Sequence, residues 1–149
     1  RWGKEKYAEL ADRLMELQAF SVLFFTDPLN KTLIPEITGM MKNKAAVIGA
    51  KSIREVSGVI SKLSLYIGND SGLSHIAAGL NTPTITIVGP DEAAIFHPYP
   101  RGERHFIVSK DVSCKPCWKE NCDKGNTCLD KVTVNEVYKV VEKWKKLAR

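Results

Sequence analysis

The chain has 149 residues, of which 44% are hydrophobic and 26% charged. This balance allows one domain to bury a sizeable core, and it excludes an intrinsically disordered chain. The formal net charge of +5 suits an anionic ligand, a polyanion or an acidic membrane surface, although solubility alone also explains it. No stretch is long and apolar enough to cross a membrane, and no secretory signal is visible. Because the chain begins at Arg1 directly in a helix-like pattern, we expect it to be part of a longer protein.

Helical and strand-like patterns alternate along the chain. In the first half of the chain they predict helices over 4–18 and 32–41, strands over 21–25 and 45–48, and a helix after a capping box at 52–55. A strand over 65–67, a helix from 72 and a strand over 84–88 follow. The last part consists of a loop over 90–105, a strand over 106–108, a Cys-rich loop over 111–130 and a closing helix after a capping box at 133–136. The strands are apolar runs, which is typical of a parallel sheet covered by helices on both faces. We therefore predict an α/β fold, a Rossmann-like three-layer sandwich with a mostly parallel sheet.

The most informative segment is the turn over 68–75, between a buried strand and a helix start. In open α/β sheets, ligands bind at the carboxyl ends of strands, beside such a turn. Backbone N–H groups at a helix start point outward, and the helix dipole favours negative charge there. Gly72 would let a phosphate approach the backbone closely, and Ser71 could add a hydroxyl donor. The pattern predicts an anion seat formed by Ser71, Gly72 and Leu73.

Two side chains beside this seat each allow two interpretations. His75 lies one helical turn after Ser71 on the same face, so it is either a neutral donor to the same anion or a buried structural histidine. A neutral imidazole is expected because the positive end of the helix disfavours the protonated form. Asp70 would repel a diphosphate, so it is either the N-cap of the helix or a residue that binds a sugar hydroxyl or orients the loop.

The four cysteines, Cys114, Cys117, Cys122 and Cys128, fall within 15 residues with the spacing C-x2-C-x4-C-x5-C. Four thiolates could enclose a structural zinc ion, and C-x2-C is a natural chelating half, although the second half is wider than usual. The other interpretation is structural thiols, reduced in a cytosolic protein or oxidised during handling. Ligation of an iron–sulfur cluster is a third, less favoured interpretation. All three stay open at this point.

The turn also carries a resemblance to a known family. Residues 69–84, NDSGLSHIAAGLNTPT, and the sequence IVGP at 87–90 resemble the heptosyltransferases of glycosyltransferase family nine. The resemblance extends through 2–14, 52–61 and the Cys-rich tail, so it covers nearly the whole chain. It implies the C-terminal half of a GT-B glycosyltransferase. Residues 1–149 would then be the nucleotide-sugar donor domain, and the N-terminal acceptor domain, with the presumed catalytic base, would lie outside the chain.

The resemblance also implies roles for individual residues. Ser71, Gly72, Leu73 and His75 would lie at the donor diphosphate, and Asp70 would line the donor site. Candidate adenosine contacts are less sharply defined, because this chain departs from the family's Gly-rich turn after the first strand. Those candidates are Asp27, Asn30, Ala50 and Lys51.

The implied reaction is transfer of a heptose, or a related sugar, from ADP-heptose to the lipopolysaccharide core with inversion at the anomeric carbon. The catalytic residues of this chain stay unknown, and no cofactor is expected, since neutral donors would stabilise the leaving diphosphate and no Asp-x-Asp pair occurs to hold a divalent cation. The partners would be the ADP-sugar and, through the acceptor domain, the lipopolysaccharide core. A cytoplasmic location, with peripheral contact to the inner membrane, would follow.

Two other functions compete with this interpretation. One is a non-catalytic nucleotide-binding module of the same fold, because a fold alone does not define a function. The other is a metal-stabilised nucleic-acid-binding protein, which the positive charge and the cysteines permit. We disfavour nucleic acid as a partner because the basic residues do not interleave with stacking aromatics.

Overall fold

The computed structural model describes residues 1–18, 20–26, 31–49, 52–90, 104–117, 122–125 and 127–148. Its elements are α1 Lys4–Gln18, β1 Leu23–Phe25, α2 Leu33–Met40, β2 Ala46–Ile48, α3 Ile53–Ile60, β3 Tyr66–Asn69, α4 Gly72–Gly79, β4 Thr84–Ile87, β5 His105–Val108, α5 Thr127–Asp130 and α6 Val134–Leu147. They form two compact units, residues 3–56 and residues 57–149 together with 1–2. All strand pairs are parallel, as predicted.

The first unit contains the two-stranded sheet of β1 and β2, with Leu23 opposite Ala46. α1 packs against α2, as the amphipathic pattern over residues 4–18 requires. The buried members of this core are Ala8, Ile34 and Ile37, and Tyr7, Phe24, Leu33 and Met41 pack against them.

Asp12 connects α1 to the turn that leads from α2 to β2. Its carboxylate accepts hydrogen bonds from the backbone amides of Lys42 and Asn43, both at 2.8 Å, and from the side-chain amide of Asn43 at 3.1 Å. Burial raises the pKa of Asp12, but these hydrogen bonds outweigh it, and the pKa lies below its ordinary value. The ionised carboxylate therefore holds the turn in the folded unit.

The second unit contains the sheet that positions the candidate site. Its strand order is β3-β4-β5, with Tyr66 opposite Thr84 and Asn69 opposite Ile87. All four residues of the central strand β4 are buried, which explains its continuous β-branched sequence. α4 packs against β3 and β4, and α6 packs against β4 and β5.

The closing helix α6 begins at the predicted capping box. Thr133 Oγ1 accepts from the Glu136 amide at 3.2 Å, while the Glu136 carboxylate accepts from the Thr133 amide at 3.0 Å. Glu136 also pairs with Lys110. The buried face consists of the predicted residues Val134, Val137, Val141 and Trp144, joined by Tyr138.

Several boundaries differ by one or two residues from the sequence-based expectation, and two differences have an evident cause. β5 begins at His105, inside the predicted loop over 90–105, because the buried His105 side chain bonds with Thr84 across the sheet at 3.0 Å. The predicted loop over 111–130 ends in the short helix α5, whose Cys128 and Leu129 are buried. Within the described ranges, none of the helices has the length and apolar character that crossing a membrane demands.

Candidate functional site

The turn between β3 and α4 is closed by a buried serine. β3 ends at Asn69 and α4 begins at Gly72, so Ser71, in an extended conformation, is the N-cap residue. The hydroxyl of Ser74 donates to the Ser71 carbonyl at 2.7 Å and accepts from the Ser71 amide at 3.2 Å. The amide of Ser71 is therefore already used, and only its exposed hydroxyl remains for a ligand.

The next two amides complete the donor set. The first N–H groups of an α-helix have no acceptor within the helix. The amides of Gly72 and Leu73 also find no acceptor elsewhere in the described part of the chain. A Cβ built on Gly72 would meet no atom within 4 Å, so open space lies over this first turn. We call Ser71, Gly72 and Leu73 the anion seat.

Asp70 and His75 flank the anion seat and face one another. His75 Nε2 lies 3.6 Å from Asp70 Oδ1, with the histidine side chain 47% exposed and the aspartate 13% exposed. The N-cap interpretation of Asp70 is wrong, because Ser71 occupies that position. The exposure of His75 likewise contradicts a buried structural histidine and leaves its imidazole accessible to a ligand.

Tyr66 lies behind the anion seat, and its role is not evident from the sequence alone. Its ring is buried and lies along β3 over Gly68, where an added Cβ would come within 2.7 Å of the phenolic oxygen and 3.0 Å of two ring carbons. Burial raises the pKa of Tyr66 and the Ser71 side chain lowers it, with a net rise, so the phenol stays protonated.

Asn69 and Trp2 support the turn from another side. Asn69 Oδ1 accepts from the Trp2 amide at 3.1 Å, and Asn69 Nδ2 donates to the Ile87 carbonyl at 3.3 Å. The buried Trp2 indole donates to the Val132 carbonyl at 2.9 Å. The ends of β3 and β4 are thereby tied to the segment between α5 and α6.

The Cys-rich segment packs against the end of β4. The amide of Cys117 donates to the Pro90 carbonyl at 3.1 Å. Leu129 contacts Gly89 so closely that an added Cβ there would lie 3.2 Å from the leucine side chain. The segment thus packs against the end of β4 next to the anion seat and has a structural role there.

The cysteines themselves do not form a ready-made metal centre. Cys128 is buried and the other three are half-buried. Over the described residues, which include all four cysteines, no three His, Cys, Asp or Glu side chains are grouped as metal ligands would be. The packing of Leu129 and the Cys117 amide holds this segment through contacts of its own.

The predicted adenosine contacts are Asp27, Asn30, Ala50 and Lys51. All four lie outside the described residues.

The structure brings together the predicted diphosphate residues and Asp70, and it adds Tyr66, Ser74 and Asn69 to them. The sequence held one signal for the place of Tyr66. Gly68 follows it by two positions in the same strand, so the two residues share a face of the sheet.

Comparison with known proteins places these features in a family context. The sequence profile described as glycosyltransferase family 9 (heptosyltransferase) matches residues 1–127. Lipopolysaccharide heptosyltransferase 1 of Pseudomonas aeruginosa is 29% identical over 122 residues, which cover 81% of this chain and 33% of that protein.

Two solved structures share the fold. The ADP-heptose lipopolysaccharide heptosyltransferase II of E. coli matches with a TM-score of 0.79 at 20% identity, over 100% of this chain and 43% of that chain. The E. coli heptosyltransferase WaaC, solved with ADP, matches with a TM-score of 0.73 at 21% identity, over 97% and 40%. The chain spans less than half the length of each of these three proteins. These matches confirm the predicted Rossmann-like α/β fold.

Proposed function

Because the chain belongs to glycosyltransferase family 9, the heptosyltransferases, we propose that it binds the diphosphate of a nucleotide-sugar donor at the anion seat. The observation that carries this proposal is the start of α4, where two unpartnered amides, a serine hydroxyl and open space converge. Amides at a helix start and the helix dipole both favour an anion at this position.

The donor that fits best is ADP-heptose. One of the solved structures above is named for ADP-heptose and the other holds ADP. We propose that the complete enzyme transfers the heptose to the lipopolysaccharide core with inversion, and that the catalytic base lies in an N-terminal acceptor domain outside this chain. Residues 1–149 then serve as the donor domain.

The anion seat supplies neutral hydrogen-bond donors to the departing diphosphate. Such donors stabilise the charge that develops as the glycosidic bond breaks, because they are already oriented towards it. His75 adds a fourth donor at the rim of the seat, and Asp70 orients the loop or accepts from a sugar hydroxyl. The adenosine contacts of this proposal remain Asp27, Asn30, Ala50 and Lys51.

No cofactor is needed for this chemistry. We propose that the donors of the anion seat take the place of a divalent cation, and that any zinc at the four cysteines is structural. A lipid-linked acceptor would bring the complete enzyme to the cytoplasmic face of the inner membrane. The lysines on α6 would then face anionic lipid, as a weak electrostatic contact.

Calorimetry with ADP and a charged variant tests the proposal. Ser71→Asp places a negative charge at the diphosphate, so we expect ADP affinity to fall by more than about tenfold. Ser64→Asp adds the same charge at an exposed residue before the opposite end of β3, and it should leave ADP affinity unchanged.

A short oligonucleotide, titrated in parallel, probes the rival binding function. Stronger binding of the oligonucleotide than of ADP would reject a donor site. If ADP bound equally well to the Ser71→Asp variant and to the unmodified chain, the placement of the diphosphate at the anion seat would be wrong.

A further inference from the structure

The side chain of Asn69 joins two other segments at the carboxyl end of the sheet. Asn69 is the last residue of β3, and the anion seat begins two residues later. Its Oδ1 accepts from the backbone amide of Trp2 at 3.1 Å, and its Nδ2 donates to the carbonyl of Ile87 at 3.3 Å. A carboxamide carries an acceptor and a donor on one short side chain, so Asn69 can satisfy both partners at once.

The carbonyl of Ile87 holds the turn through two hydrogen bonds. It accepts from the backbone amide of Asp70 at 3.2 Å as well as from the side chain of Asn69. A carbonyl oxygen has two lone pairs, so it can accept both bonds. The main chain that leaves β3 is therefore fastened to the end of β4 by one backbone bond and one side-chain bond, directly before the residues of the anion seat.

Trp2 gives Asn69 a second fixed partner. The tryptophan is 2% exposed, and its indole donates to the carbonyl of Val132 at 2.9 Å. The amide that donates to Asn69 thus belongs to a residue that is held by packing and by a hydrogen bond of its own. Because Asn69 is held from two sides, the end of β3 has little freedom to turn.

The direction of the anion-seat amides depends on the turn that precedes them. The amides of Gly72 and Leu73 belong to the first turn of α4, so the chain between Asn69 and Ser71 determines where they point. Ser74 fixes this chain from the helix side, through its two hydrogen bonds to Ser71. Asn69 fixes it from the sheet side. Binding groups have to be held within about 0.5 Å of their productive geometry, and supporting hydrogen bonds of this kind do so.

We propose that Asn69 is a positioning residue that fastens the turn to Trp2 and Ile87 and thereby orients the amides of the anion seat towards the bound diphosphate. The inference rests on the proposed function, because it concerns the same anion seat. Asn69 acts through the backbone that follows it and makes no hydrogen bond to the ligand.

Calorimetry with ADP on an alanine variant tests the assignment. Asn69→Ala removes both side-chain bonds but leaves the backbone bond from Asp70 to Ile87, so the turn should form without its exact alignment. We expect ADP to bind about tenfold more weakly, because small displacements of binding groups have large effects. Asn135→Ala removes the same amide from an exposed position on α6 and should leave ADP affinity unchanged.

The backbone amide resonances of Gly72 and Leu73 separate positioning from folding. In the unmodified chain ADP should shift both resonances, because phosphate oxygens accept from these amides. In Asn69→Ala, saturated with ADP, both shifts should be smaller, while the resonance of Gly79 at the other end of α4 stays as in the parent. A purely structural role of Asn69 would lower the thermal midpoint and leave the ADP affinity and the ADP-induced shifts of the folded protein unchanged.

Asn69→Ser covers the case in which the alanine variant does not fold. Its hydroxyl keeps a polar group at this half-buried position but is too short to reach Trp2 and Ile87 together. The same loss of ADP affinity is therefore expected. If neither variant folds, Asn69 serves folding and the positioning role is rejected.

The outcomes distinguish the two levels of the proposal. If the unmodified chain does not bind ADP, the proposed function fails and the inference fails with it. If ADP binds and Ser71→Asp weakens it, but the folded Asn69 variants keep the affinity or the shifts of the parent, only the inference is overturned. Weaker binding with smaller shifts at Gly72 and Leu73, and no effect of Asn135→Ala, supports it.

Discussion

The imidazole Nε2 of His75 lies 3.6 Å from the carboxylate oxygen Oδ1 of Asp70, across the first turn of α4. The carboxylate is largely covered, while the imidazole is nearly half exposed. The carboxylate of Asp70 thus has beside it a side chain that can itself donate to a phosphate. In the proposed function, a hydrogen-bond donor therefore accompanies the acidic residue that directly precedes the diphosphate site.

We expect His75→Ala to weaken ADP binding by about tenfold or more, because a hydrogen bond to a charged group is lost. His75→Gln keeps a neutral N–H donor of similar reach and should retain most of the affinity. Calorimetry with ADP on the three proteins checks this. Equal losses in the two variants would show that the imidazole acts by packing or by charge.

Gly72→Ala should weaken ADP binding by at least about tenfold, because the added methyl group enters the open space over the anion seat, where a phosphate must approach the amides. The fold should tolerate it, since alanine favours a helix over glycine by roughly 1 kcal/mol. Gly79→Ala is the matched control, because Gly79 ends the same helix and also has no atom near an added Cβ. Similar effects of both substitutions on ADP affinity would remove the steric argument.

Asp12→Asn should lower the free energy of unfolding by about 1–3 kcal/mol, because the partly buried amides of Lys42 and Asn43 lose a charged acceptor. Since the pKa of Asp12 is lowered on folding, its contribution is complete above the unfolded value of 3.8 and is lost as the pH falls through the folded value. Urea unfolding at pH 7 and at pH 3 should therefore show a smaller difference between variant and parent in acid. Glu16→Gln, on the exposed face of α1, serves as the control and should change stability by less than about 0.5 kcal/mol.

Glu136→Gln should make the free energy of unfolding depend less on pH under acidic conditions. The hydrogen bond from Lys110, and then the capping amide of Thr133, lower the pKa of Glu136 from 4.5 to about 2. Its contribution is therefore present above pH 4.5 and disappears as the pH falls towards 2. Because the charges of Glu136 and Lys110 are both partly exposed, we expect the variant to lose less than about 1 kcal/mol of unfolding free energy at pH 7. Thermal unfolding between pH 2 and pH 7 measures it, and an unchanged pH profile in the variant would contradict the assignment.

Removal of divalent metal ions should leave ADP affinity unchanged, because the anion seat consists of amides and a hydroxyl. Calorimetry before and after treatment with EDTA checks this. Metal analysis of protein purified without chelator tests the metal interpretation of the cysteines, where one zinc per chain would establish a structural site and the absence of zinc and iron would reject it. A loss of ADP binding after EDTA would instead assign a metal ion to the donor site.

Local signals in the sequence were sufficient for most of the fold. The bounds of α1 follow from apolar residues at helical spacing, and α6 begins where the capping box at Thr133 predicts. The turn and helix start that carry Ser71, Gly72 and Leu73 could be predicted because these residues are contiguous and lie where a strand meets a helix, while their binding of an anion stays a prediction. Predictions of helices and turns succeeded where all the residues that determine the element lie in one segment of the sequence.

Contacts between distant residues could not be predicted in this way. The hydrogen bond from Trp2 to Val132 joins residues 130 positions apart, and no periodicity records it. The sequence left open whether Asp70 is the N-cap, because Asp and Ser both cap helices well, and the structure places Ser71 there with Ser74 bonded to it. The short helix α5 was missed because the burial of Leu129 against Gly89, rather than local propensity, holds it in place.

The contact of Leu129 with Gly89 and the bond from Cys117 to Pro90 span 40 and 27 positions of the chain. Loops of this length are slow to close, so the exit of the central strand should be among the last parts to consolidate during folding. A proteolytic cut or deletion within 111–130 would then loosen the sheet at the carboxyl end of β4. Hydrogen exchange at Val88, whose amide donates to Val108, would report that loosening directly.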